Sequence, residues 1–317
     1  MKNVILRGPL LTKSGYGVHS RQVFRYLKSK PGISLSTEIT PWGITPWDVN
    51  TDKKEISQIL DCSNYDKNKK FDLSFQVQLP NEWDASLAEY NVGITAAVET
   101  DKCNPLWTSL HVPKMDKVIV PSEFTKEILG SDFEPAIGKI NVVNEAFFDE
   151  IKDEPRELNL NIETDFNFLT IGVLTGSRPE TDRKNLFYLI KWFVEEFKND
   201  SGVGLIVKTN MGRDSVIDRY NTKNLLEKVI SELNTNGKPK IYLLHGSMNR
   251  GEMTSLYKCD KVKAFVSMTR GEGFGLPHLE AAACALPVIA TDWSAHTEFL
   301  NLGEWTKVDY KLKNVHE

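Results

Sequence analysis

Short apolar runs alternate with stretches of helical periodicity along most of the chain. Residues 2–7 read as a strand, 8–17 (GPLLTKSGYG) as a glycine-rich loop, and 18–30 as a helix. That helix sets Val23, Phe24 and Leu27 on one side and Arg21, Arg25 and Lys28 on another. Residues 34–40 predict a strand, 41–48 (PWGITPWD) a rigid loop and 53–60 a helix. In 71–78, Phe71, Leu73, Phe75 and Val77 alternate with Asp72, Ser74, Gln76 and Gln78, the pattern of a strand with one polar face. Strands at 92–98, 117–120 and 139–143 follow, with a helix capped by Ser122 and closing at Gly130.

A polar, acidic stretch containing Pro155 then interrupts the rhythm, and residues 151–164 read as a linker. Beyond it the alternation restarts. Strands are expected at 166–174, 203–208, 241–244, 263–267 and 287–291. Helices are expected at 185–198, 224–233 and 252–258, the first with Leu186, Leu189, Ile190, Phe193, Val194 and Phe197 at helical spacing. Alternation of this kind implies parallel sheets with right-handed crossovers. The expected architecture is α/β, two doubly wound Rossmann-like domains at 1–150 and 165–317 facing a cleft.

Composition narrows the function classes. Of 317 residues, 40% are hydrophobic and 26% charged, enough for real cores. A net charge of −4 weighs against a chain whose main task is gripping nucleic acid, though not against a local basic groove. Four scattered cysteines without a CxxC pair read as reduced thiols and a cytoplasmic location, not as a zinc framework. The apolar run at 4–6 is too short for a signal peptide or a membrane span.

The candidate chemistry centres on 268–287, MTRGEGFGLPHLEAAACALP, between two predicted strands. Gly271, Gly273 and Gly275 let the backbone turn sharply and approach a ligand. The start of the following helix, with Pro277 in its first turn, offers N–H groups to negative charge. Glu272 and Glu280 bracket the loop with seven residues between them. This suits a ligand with hydroxyls at both ends and phosphates in the middle.

These residues resemble the E-x7-E motif of retaining GT-B-fold glycosyltransferases of the family 4 type. The GFGLP core and the Ala-rich helix running into PVIAT carry the likeness, and so do Arg178 and Lys184, six residues apart in TGSRPETDRKN. SGYG at 14–17, VETDKCNPLW and MDKVIVPSEFTKEIL extend it into the first half, with wording most similar to glycosyltransferases of tailed phages. The resemblance implies transfer of a sugar from a nucleoside-diphosphate sugar, UDP-sugar favoured, to an acceptor hydroxyl. Arg178 and Lys184 would hold the diphosphate and Glu272 the donor sugar. Glu280 would bind the ribose, with Gly273, Phe274, Gly275 and Leu276 around sugar and phosphates. Gly15, Tyr16 and Gly17 would lie against the phosphates, and 245–248, including Gly246, would border the nucleobase. Glu99, Thr100, Asp101 and His111 are the candidates on the acceptor or sugar side. No Asp-x-Asp pair is present, so neither a catalytic metal nor another cofactor is expected. Family members usually continue through a further strand and a helix crossing back, so the C-terminal part is expected to be shortened. A hydroxymethylated base in phage DNA is an alternative acceptor, resting on the phage-like wording and the Arg21, Arg25, Lys28 stripe. A non-catalytic nucleotide-sugar-binding subunit is an alternative of a different class.

Overall fold

The structure, a computed structural model, describes residues 1–66, 68–131, 137–176, 178–233 and 239–315. His316 and Glu317, the last two residues of the sequence, lie outside it. The chain forms two compact units, Met1–Ala146 and Phe147–Glu317, each built on a six-stranded parallel sheet.

In the first unit the strands are β1 (Lys2–Gly8), β2 (Ile33–Ile39), β3 (Leu73–Val77), β4 (Tyr90–Ile94), β5 (Lys117–Val120) and β6 (Ile140–Val142). They lie in the order β2-β1-β3-β4-β5-β6. The chain reverses direction of addition between β1 and β3, where a doubly wound sheet opens a crevice at its carboxyl edge. β3 is central, so its alternating polar face is buried rather than solvated. Ser74 and Gln76 are fully buried and satisfied, Ser74 by the Asn91 side chain (2.7 Å) and Gln76 by Ser74 (3.0 Å) and the Asp84 carbonyl (2.7 Å). The helix Gly15–Lys28 begins three residues earlier than its periodicity predicts, because Ser14 caps it by accepting from the Gly17 N–H (3.0 Å).

The second unit contains β7 (Phe166–Ile171), β8 (Val203–Thr209), β9 (Lys240–His245), β10 (Val262–Ser267), β11 (Val288–Thr291) and β12 (Thr306–Val308). Their order is β12-β11-β10-β7-β8-β9, which sets the switch point between β7 and β10. Leu169, Ile206, Phe265 and Ala290 are almost fully buried, as strands covered on both faces require. Residues 151–164 contain no strand or α-helix, but they are packed on this unit. Ile162 is buried in its core, and the Arg156 N–H donates to Ser255 Oγ (2.8 Å).

Other elements differ from expectation, β4 among them, which ends at Ile94 rather than at residue 98. The helix Val216–Glu232 starts well before residue 224, because Val216, Ile217 and Tyr220 are exposed and blur its apolar face. The polar ending hides β12, a three-residue edge strand that has no buried position to betray it, preceded by a short helix at His296–Leu300.

Candidate functional site

The loops after β7 and β10 meet at the switch point of the second sheet. The loop after β7 is shaped by Asp182, which is completely buried. Its carboxylate accepts from the N–H groups of Leu186 (2.7 Å) and Lys184 (3.2 Å) and from Thr175 Oγ1 (3.3 Å). It thereby caps the helix Leu186–Phe197 in place of Asn185, which turns the chain at φ 56° and makes no side-chain capping bond. From this frame the Lys184 side chain reaches the glycine loop.

Glu272 is 6% exposed and is the hub. Lys184 Nζ donates to its Oε1 (2.6 Å), Thr269 Oγ1 donates to the same oxygen (2.9 Å), and Arg183 lies 3.3 Å from Oε2. Arg183 also donates to the Gly271 carbonyl (2.8 Å). Burial opposes the charge on Glu272, but the Lys184 ammonium and the Arg183 guanidinium outweigh it and hold the carboxyl well below the usual range. The Glu272 backbone is fixed as well, its N–H donating to Ser294 Oγ (2.9 Å). Ser294, held at φ 79°, lies 3.4 Å from His296 Nδ1, and His296 Nε2 donates to the Thr291 carbonyl (2.8 Å).

The rest of the loop is equally constrained. Gly273, Phe274 and Gly275 are buried, and Phe274 packs against Phe299 with ring centroids 5.3 Å apart. Gly275 adopts φ +99° and opens the helix Leu276–Ala283; a Cβ there would stand 2.8 Å from His296 Cβ. The His278 and His296 rings stack at 4.4 Å beneath this turn. Burial pushes both imidazoles down, His278 most strongly, so both are neutral at pH 7. Glu280, on the same helix, is half-buried and accepts from Tyr257 Oη (3.0 Å). Burial pushes its carboxyl up to about 7, against the pull of that hydrogen bond and of Arg250.

Of the two cations singled out by spacing, only Lys184 touches Glu272. Arg178 is exposed on the turn Pro179–Thr181, which Arg270 pins by donating to the carbonyls of Glu180 (3.0 Å) and Pro179 (2.7 Å). Arg183 takes the position beside Glu272. It went unmarked because a six-residue spacing selects Arg178, although the Arg183–Lys184 doublet was there to be read. Asp182, Thr269, Ser294 and His296 were missed as well; only Asp182, an acid just ahead of a helical run, carried a sequence signal.

Gly246, at φ +93° after β9, offers its carbonyl to buried Lys208. Beside it, His245 Nε2 is 2.7 Å from Asp218 Oδ1. The 245–248 loop is therefore anchored at its start.

In the first unit, Gly17 packs so closely that a Cβ would lie 2.1 Å from the Thr12 carbonyl oxygen. Gly15 has open space, and Tyr16 is the residue of this turn with chemistry. Its ring stacks on Trp42 at 3.9 Å, and its hydroxyl bonds Thr95 Oγ1 (2.9 Å) and accepts from the Ala96 N–H (3.0 Å) just past β4. Burial pushes that phenol above its ordinary value. Glu99 and Thr100 are half-buried, Asp101 is exposed, and Thr100 Oγ1 bonds the Lys102 carbonyl (2.6 Å). His111 sits in the helical turn Trp107–His111, its imidazole lowered by burial and then by Lys114. Tyr16, rather than these four, meets the end of β4.

The basic stripe on the first helix is not a continuous surface. Arg21 is buried and donates to the carbonyls of Leu10 and Thr12 (2.8 Å each), so it braces the glycine loop. Arg25 pairs with Glu55 at 2.5 Å. This removes the structural support for reading the stripe as a DNA-binding face.

The second unit is where the chain's sequence is similar to a known family. Residues 181–316 match the family model of glycosyl transferases group 1. That stretch lies within the second unit and takes in the glycine loop. No curated protein sequence matches the chain. Among solved structures, sucrose-phosphate synthase from Thermosynechococcus elongatus is similar at 15% identity, with 98% of this chain and 86% of that one covered and a TM-score of 0.61. A trehalose-6-phosphate synthase studied for glycosyltransfer with retention gives 10% identity, 98% and 88% coverage and a TM-score of 0.60. A UDP-forming trehalose-phosphate synthase from Burkholderia xenovorans gives 11%, 97%, 87% and 0.59. At these identities the likeness establishes the GT-B fold.

Proposed function

We propose that the chain is a retaining glycosyltransferase that moves a sugar from a nucleoside diphosphate, UDP in the first instance, to an acceptor hydroxyl. The observation that carries this reading is Glu272, buried between Lys184 and Arg183 in the glycine loop of the stretch that matches the glycosyl transferases group 1 model. UDP as the leaving group draws support from the UDP-forming relative in fold, and retention from the trehalose-6-phosphate synthase described in those terms.

The roles follow from charge and position. Lys184, with Arg183 and Arg178 at the same loop, faces the charge that grows on the diphosphate as the glycosidic bond breaks. Before the donor arrives, Lys184 and Arg183 share the single negative charge of Glu272, which leaves the trio one net positive charge for a phosphate. Glu272 accepts from hydroxyls of the donor sugar, and Glu280 from the ribose. The N–H groups at the start of the helix Leu276–Ala283 point toward negative charge, in keeping with phosphates at that end. The bond between the anomeric carbon and the phosphate oxygen breaks, the acceptor oxygen bonds that carbon on the same face, and the acceptor proton passes to the departing phosphate. No protein nucleophile is needed. The first unit is assigned the acceptor side, with Tyr16 the polar group at the carboxyl end of β4 and Glu99 further along the loop that follows.

The reading is tested by incubating the protein with UDP-, GDP- and ADP-sugars and measuring free nucleoside diphosphate, with and without hydroxymethylated DNA. Release from at least one donor supports transfer. Donor binding without release from any of them would favour a non-catalytic binding subunit.

A further inference from the structure

We propose that Tyr257 is a positioning residue for the donor: its phenol holds one oxygen of the Glu280 carboxylate so that the other accepts from the ribose hydroxyls. The proposal rests on the assignment of Glu280 to the ribose.

Tyr257 ends the helix Arg250–Tyr257, whose start is fixed by reciprocal bonds between Asn249 and Glu252. It is 2% exposed and packs in the core with Leu256, Val262 and Phe265. A phenol so placed cannot wander, and its one donor is spent on Glu280 Oε2 at 3.0 Å. Glu280 Oε1 carries no protein hydrogen bond among the described residues, and the residue is half-buried, so that oxygen is left for a ligand. The charged and titratable groups facing Glu280 are Tyr257 and Arg250 from the one helix and Cys284 a turn further along its own. Burial works against the ionised form, and the phenol is one of two groups that favour it. A carboxylate accepts from ribose hydroxyls more strongly than a neutral carboxyl does. Without the phenol, Glu280 loses both its fixed orientation and part of its charge near neutral pH.

The test measures binding of UDP, GDP and ADP, and of their 2′-deoxy counterparts, to the parent protein, Tyr257→Phe and Glu280→Gln between pH 6 and 9. Phenylalanine keeps the packing, and the nucleotide's own ionisation is common to all three proteins. In the parent, affinity for the bound nucleotide rises through pH 7, and the ribose form is preferred about tenfold, the scale of one charge-assisted hydrogen bond. Tyr257→Phe moves the midpoint of that rise upward by about half a pH unit or more and cuts the ribose preference to about threefold or less, with kcat at saturating donor within about twofold. An unchanged midpoint together with an unchanged ribose preference would overturn the proposal while leaving the ribose assignment intact. If Glu280→Gln binds like the parent, or if the parent binds no nucleotide, the ribose assignment falls and the role of Tyr257 falls with it.

Discussion

Replacing Lys184 with methionine leaves Glu272 buried without its nearest cation. The carboxylate is 6% exposed and 2.6 Å from the ammonium, so water cannot take over the role. Removing one member of a buried pair costs about 3–5 kcal/mol, because the other charge stays desolvated. Here Arg183 at 3.3 Å and Thr269 at 2.9 Å remain, which places the expected loss at the low end, about 3 kcal/mol. For a unit of this size that corresponds to a fall in Tm of about 6–12 °C in the second unit's transition. The assay is thermal and urea unfolding of Lys184→Met, Glu272→Gln and the double variant. The double variant should be less destabilised than the sum of the singles, with a coupling of about 2 kcal/mol. The pH sign follows from the depressed carboxyl. The pair contributes fully above the unfolded value of 4.5 and is lost as pH falls through the lower folded value, so the Lys184→Met deficit should shrink on acidification below that point. A deficit under about 1 kcal/mol at pH 7, or a coupling within about 0.5 kcal/mol of zero, would refute Glu272 as the hub of the loop.

Two further outcomes follow from the first unit. Gly17→Ala forces a Cβ to 2.1 Å from the Thr12 carbonyl, and since backbone must move, a loss of about 3 kcal/mol or more is expected in that unit's urea unfolding; Gly15→Ala, with open space, should cost under about 1 kcal/mol. Arg21→Met removes two charge-assisted bonds and strands the Leu10 and Thr12 carbonyls, with an expected loss of about 3 kcal/mol. The same substitution should leave the salt dependence of any DNA binding unaltered in an anisotropy titration, because a buried guanidinium releases no phosphate counterions.

What was legible in the sequence was whatever repeats with burial. The helix Leu186–Phe197 and the inner strands of both sheets announce themselves because their apolar positions are core positions. β12 and the start of the helix Val216–Glu232 did not, because an edge strand with no buried position and a helix end with exposed Val216, Ile217 and Tyr220 break the link between hydrophobicity and burial. The candidate site divides in the same way. Glu272, Glu280 and the glycines lie in one continuous stretch, and their spacing carries information. The partners of Glu272 come from β7, β10 and β11 loops, and which of Arg178 and Arg183 turns inward depends on the buried Asp182 that shapes their turn. Arg21 was misread for a related reason: a cation on a helix looks solvated unless the carbonyls it satisfies are known.

The claim that Glu272 and its cations form a sugar-transferring site is tested most directly by following a turned-over nucleoside-diphosphate sugar by proton NMR. The parent should release nucleoside diphosphate and give a product with the donor's anomeric configuration. Glu272→Gln should lower the rate by about 100-fold or more with its fold intact. A product of inverted configuration, or a Glu272→Gln variant that turns over at the parent's rate, would contradict it.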